Sequence, residues 1–199
     1  AFLGDLPAPV LTGPYRPRGL AFGPDGDLYV SVVYVLSGRG GAVVRIDVKN
    51  GAVEVVHECP TADPSCDLHR PEGLAFSPDG LLYVTSFRAD ATDVDRILIL
   101  DPEDGSEADD PIELDLPGDE HRAFAQALLF GPGGFLYVPI SGGVPAFRGS
   151  VRRYDALMHD FEVIVDAFAA GGPLRTPQYL TFGRTDPATL AYKDHPQCL

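Results

Sequence analysis

The chain has 199 residues, a formal net charge of −14, 45% hydrophobic and 22% charged residues. That length and composition support one packed domain or a short repeat array and argue against a disordered segment. The acidity disfavours nucleic-acid binding through phosphate neutralisation and adsorption to anionic membranes, and no apolar run approaches the ~18 residues of a membrane span.

In chain order, residues 1–6 (AFLGDL) predict a short strand. Residues 16–30 (RPRGLAFGPDGDLYV) follow as apolar strand, tight turn, apolar strand. In the turn, Pro presets φ, Asp bonds back to the backbone and Gly takes positive φ. Third and fourth strands are predicted at 42–47 (AVVRID) and 52–56 (AVEVV), joined by Asn50-Gly51, a pair suited to a type I′ turn. Residues 70–84 (RPEGLAFSPDGLLYV) match residues 16–30 at twelve of fifteen positions, offset by 54. Strands at 96–100 (RILIL) and 112–116 (IELDL) complete that copy. A third copy begins at 124–138 (FAQALLFGPGGFLYV) and continues through 150–155 (SVRRYD) and 161–166 (FEVIVD). A fourth, weaker copy supplies two strands, 178–182 and 189–193.

Four strands recurring every ~54 residues, with no sustained helical periodicity, predict an all-β fold, a β-propeller with one four-stranded blade per repeat. A single sheet cannot cover both of its faces, so successive copies must stack. The repeats fall at 16–69, 70–123, 124–175 and 176–199, in a single propeller domain covering 1–199. Two closures suit this count. The strand at 1–6 completes the last blade of a four-bladed ring, or the chain is part of a larger, six-bladed propeller.

The phrases P-x-G-L-A-F-x-P-D-G-x-L-Y-V at 17–30 and 71–84, followed by G-x-V-x-R-I-D, resemble NHL-repeat propellers and the gluconolactonase/senescence-marker-like proteins. The resemblance covers nearly the whole chain. It implies fold, while the architecture hosts enzymes, lectin-like binders and scaffolds alike. In such a propeller the first strand of each blade lines the central channel. The position just before that strand's apolar run holds Arg18, Glu72, Gln126 and Gln178, a ring of candidate ligand-binding residues with Arg70 beside it. A plainer reading of the ring is mutual satisfaction in a narrow channel, with Arg18 and Glu72 as an ion pair.

Gluconolactonase-like relatives hold a divalent cation with Glu, Asp and asparagines, and Glu72 matches the Glu position. The sole asparagine here, Asn50, sits in a hairpin turn, which departs from that pattern. The amidating-lyase relatives use channel histidines for zinc. His69, His121 and Glu72 are the corresponding candidates for a Ca or Zn site, with His121 two residues out of phase. The acidic stretches at 90–95 and 101–110 lack the alternation of an EF-hand and read as solvated turns. Tyr29, Tyr83 and Tyr137 sit on the second-strand pleat and read as packing between blades.

Cys59 and Cys66 bracket a short polar loop and suit a stapling disulfide, leaving Cys198 over. A disulfide points to an oxidising compartment, and a chain beginning at Ala1 with no leader pattern reads as a mature, secreted product. Three functions fit these observations. One is a secreted recognition module for a carbohydrate or other small polar ligand. The second is a metal-dependent lactonase, hydrolase or lyase. The third is an assembly subunit whose unclosed edge drives homo-oligomer formation.

Overall fold

The computed structural model describes residues 11, 13–36, 40–60, 66–115, 122–142 and 148–182. Among these residues the fold is all-β, with twelve strands in three four-stranded antiparallel sheets, each built from consecutive strands. The first blade comprises β1 (Tyr15–Phe22), β2 (Leu28–Tyr34), β3 (Gly41–Ile46) and β4 (Val53–Cys59). The second comprises β5 (Leu74–Phe76), β6 (Leu82–Ser86), β7 (Arg96–Leu100) and β8 (Glu107–Glu113). The third comprises β9 (Leu129–Phe130), β10 (Leu136–Ile140), β11 (Ser150–Tyr154) and β12 (Phe161–Val165). Across blades, β1 lies against β5 and β5 against β9, so the first strands gather on one side of the stack. This is blade-on-blade packing around an axis, as the repeat requires.

Each blade buries one face against the next. Tyr29, Val43 and Leu68 pack on Leu74, Phe76, Leu82 and Leu98. Tyr83, Ile97 and Ile112 pack on Leu128, Phe130, Leu136 and Val138. The repeated tyrosines make the joint: Tyr29 meets Phe76 edge-on at 4.9 Å between centroids, Tyr83 meets Phe130 at 5.0 Å, and Tyr137 meets Phe182 at 5.0 Å. The packing expected of these tyrosines is therefore present at all three. Residues 177–182 carry no assigned strand, yet Phe182 takes the place that Phe76 and Phe130 hold in earlier blades. The strands expected at 1–6 and 189–193 lie outside the described residues.

The Pro-Asp-Gly turns form as the sequence predicts. Gly26 and Gly80 have φ of 83° and 95°, and their amides donate to the Gly23 and Ser77 carbonyls. The Asn50-Gly51 hairpin differs from the expected two-residue type I′ turn. Gly51 has φ of 76° and its amide donates to the Asp47 carbonyl, while Asp47 N–H donates to Ala52. The reason is Asp47: its carboxylate accepts from Lys49 N–H at 2.7 Å and Asn50 Nδ2 at 2.6 Å, holding a longer loop. Asp101 and Asp155 build the same loop in the later blades, with Gly105 and His159 at the positive-φ place.

The fourth strand of the second blade also differs from expectation. Predicted at 112–116, it starts at Glu107 instead, because pairing with Leu100 and Ile99 begins directly after the turn. This outermost strand is acidic and mostly exposed, with Pro111 within it, features that blunt a sheet edge. No helix among the described residues is long and apolar enough to cross a membrane.

Candidate functional site

The glycine before each inner strand sets how closely blades approach the axis. A Cβ at Gly19 would overlap the Glu72 carbonyl, and one at Gly73 would stand 2.8 Å from the Gln126 carbonyl oxygen. Hydroxyls from the second strands fasten these backbones. Gly19 N–H donates to Ser31 Oγ at 2.9 Å, and the Ser31 hydroxyl donates to the Glu72 carbonyl at 2.6 Å. In the next blade Gly73 N–H donates to Thr85 Oγ1 at 2.9 Å. Both clips act on the peptide unit that follows Glu72, its carbonyl held by Ser31 and its amide by Thr85.

With these strands side by side, Arg18, Glu72, Gln126 and Tyr179 line an axial cavity of about 270 Å³. Three of the four repeat-equivalent polar residues are therefore brought together. Gln178 is exposed and does not line the cavity; its neighbour Tyr179 does, at 72% exposure. Arg18 Nε stands 3.4 Å from Glu72 Oε1, with the Arg18 side chain 42% and the Glu72 side chain 15% exposed. Burial raises the Glu72 pKa above the usual glutamate range, against the opposing pull of Arg18 and Arg70. Arg70 does not line the cavity: its Nη2 donates to the Arg88 carbonyl at 2.9 Å.

His69 is 2% exposed and lies off the cavity. Its backbone bridges Gly40 and its amide donates to Ser86 Oγ at 2.8 Å. His121 lies outside the described residues. Among the described residues no three His, Cys, Asp or Glu side chains gather as a metal site. Among the described residues Glu72 is the sole carboxylate lining the axial cavity, and the Arg18 guanidinium already faces it. These described donors do not fit a divalent cation, which needs several oxygen or nitrogen ligands free of a competing cation.

Cys59 and Cys66 form the expected disulfide, with Cα atoms 5.9 Å apart; Cys198 lies outside the described residues. The roles of Ser31, Thr85 and Tyr179 were not drawn from sequence. The signal for the first two was present: Ser31 and Thr85 fall at the same repeat position.

No protein-family profile matches the sequence, and no curated protein matches it. Solved structures do. Regucalcin from Agrobacterium tumefaciens, a calcium-binding protein, is 19% identical with a TM-score of 0.48, covering 71% of this chain and 42% of that one. A PQQ-bound aldose sugar dehydrogenase from Streptomyces coelicolor is 23% identical with a TM-score of 0.49, covering 76% and 48%. A 6-phosphogluconolactonase candidate from Bacteroides uniformis is 23% identical with a TM-score of 0.42, covering 74% and 39%. The chain thus spans less than half the length of these structures. Its repeat phrases and stacked four-stranded blades are those of a β-propeller.

Proposed function

We propose that the axial cavity hydrolyses a small cyclic ester, a sugar lactone being the class that suits its size and polarity. The observation that carries this reading is Glu72: a carboxylate of raised proton affinity, the peptide unit after it held by two side-chain hydroxyls, in a cavity of about 270 Å³. A general base is most effective when its pKa approaches the working pH, and burial moves Glu72 in that direction.

In this reaction Glu72 takes a proton from a water that attacks the lactone carbonyl carbon. Arg18 stabilises the developing oxyanion, and Gln126 hydrogen-bonds a substrate hydroxyl. The ring C–O bond then breaks, and the departing oxygen takes the proton from Glu72. Lactone and water are consumed and one hydroxy acid is formed. A cavity of this size excludes polymers and selects a monosaccharide-sized substrate. The disulfide fits work in an oxidising, extracellular setting.

A second reading is recognition of a glycan or polar metabolite without turnover. The Arg18–Glu72 pair favours it, since each group already has a partner. Titrating glucono-1,5-lactone hydrolysis in a pH-stat separates the two. Hydrolysis above the spontaneous rate that disappears in Glu72→Gln supports the enzyme. Calorimetric binding of a sugar without turnover supports recognition. Undiminished turnover in Glu72→Gln rejects Glu72 as base.

A further inference from the structure

A larger cleft, of about 560 Å³, opens between the second and third blades, away from the axis. Arg122, Arg148 and Arg152 line it. That is three of the thirteen arginines, in a chain of net charge −14. Arg152 lies on β11; its Nη1 donates to the Leu114 carbonyl at 2.7 Å and its guanidinium stacks 4.5 Å from the Phe161 ring centroid. Arg122 stacks 4.0 Å from the Phe124 ring centroid and pairs with the fully buried Asp95. The Nε groups of both arginines are buried without an acceptor. Arg148 is exposed at the rim, where Gly142 lets the two backbones close: a Cβ there would stand 2.8 Å from the Arg148 carbonyl carbon.

Two carboxylates also line the cleft. Glu113 is exposed. Asp115 is engaged by backbone, accepting from Asp95 N–H at 2.8 Å and Ala123 N–H at 2.9 Å. Neither forms an ion pair with Arg148 or Arg152 among the described residues. Stacking on Phe161 fixes the plane of Arg152, which preorganises a charged fork for an oxyanion.

We propose that this cleft binds the oxyanion of a small molecule, a carboxylate or a phosphate monoester, through Arg148 and Arg152 with Arg122 behind them. The site is separate from the axial cavity, so the proposal does not depend on the hydrolysis reading.

The test is calorimetric titration of the full chain with gluconate, glucose 6-phosphate and, as the neutral control, glucose. Saturable binding of an anion but not of glucose is expected, weakened about tenfold or more in both Arg148→Gln and Arg152→Gln, as expected for a lost charged hydrogen bond. Glu72→Gln leaves it unchanged. Binding of gluconate alone marks the ligand as a carboxylate; binding of glucose 6-phosphate alone marks a phosphate monoester. Because Arg152 also supports Leu114, the Arg148→Gln variant decides should Arg152→Gln fail to fold. The proposal is overturned if no anion binds, if Arg148→Gln binds as tightly as the parent, or if Glu72→Gln abolishes binding.

Discussion

Leu20 and Leu74 hold the same place in the first and second blades, yet Leu74 is 7% exposed and Leu20 67%. The side chains and the sequence around them are alike; the difference is the neighbour. Tyr29, Val43 and Leu68 of the first blade cover Leu74. Leu128, the third equivalent, is likewise covered and 6% exposed.

Truncating these leucines should therefore give unequal losses. Leu74→Ala removes a packed side chain between blades and is expected to cost about 2–5 kcal/mol, whereas Leu20→Ala costs under about 1 kcal/mol. Urea unfolding of the two variants measures this. A large loss for Leu20→Ala that grows with protein concentration would identify a second copy covering the first blade.

The hydroxyl clips at the axis should be individually important. Ser31→Ala strips the acceptor from Gly19 N–H and the donor from the Glu72 carbonyl. Thr85→Val does the same for Gly73 N–H. Leaving such a group unpaired costs about 1–3 kcal/mol. Ser31→Ala should also impair ligand binding in the axial cavity, because it frees the Glu72 backbone. Thermal unfolding and ligand titration report the two effects separately.

Breaking the buried pair between Arg122 and Asp95 should be among the most damaging changes. Asp95 also accepts from Arg88 N–H at 2.8 Å and Phe124 N–H at 2.9 Å, so its loss orphans a buried guanidinium and two backbone donors. Asp95→Ala is expected to cost about 3–5 kcal/mol, seen as a fall in the urea midpoint.

The pH dependence carried by Glu72 has a definite sign. Its folded pKa is raised by burial, so the folded state binds more protons than the unfolded one between the two pKa values. Glu72 therefore lowers stability as pH rises through that window. Glu72→Gln should flatten the slope, measured as unfolding free energy against pH. In the hydrolysis reading the acid limb of the rate profile lies above an ordinary glutamate's, since the base must first ionise.

The Cys59–Cys66 bridge spans seven positions of chain. Closing so short a loop is worth about 2–3 kcal/mol through the unfolded state. Reduction under native conditions, or a double Cys→Ala variant, should lower the melting temperature correspondingly.

Much of the architecture was legible in the residues themselves. The Pro-Asp-Gly turns and the apolar runs beside them are local, and their recurrence every 54 residues announces stacked sheets. Local signals also misled. Asn50-Gly51 looks like a two-residue turn until the Asp47 carboxylate captures the loop. The fourth strand of the second blade begins earlier than its apolar residues suggest, because backbone pairing ignores the charge of Glu107 to Asp110. Repeat alignment brought Arg18, Glu72 and Gln126 to one cavity, but placed Gln178 where the chain presents Tyr179.

Sequence alone determined the repeat, its Pro-Asp-Gly turns and the apolar strands beside them, because each depends on residues a few positions apart. Tertiary structure alone decided which equivalent leucine is covered, how deeply Glu72 is buried, and that Arg122, Arg148 and Arg152 share one cleft. Those outcomes depend on which blade stands beside which. Burial and electrostatic pairing act through space, between groups that no local pattern in the chain connects.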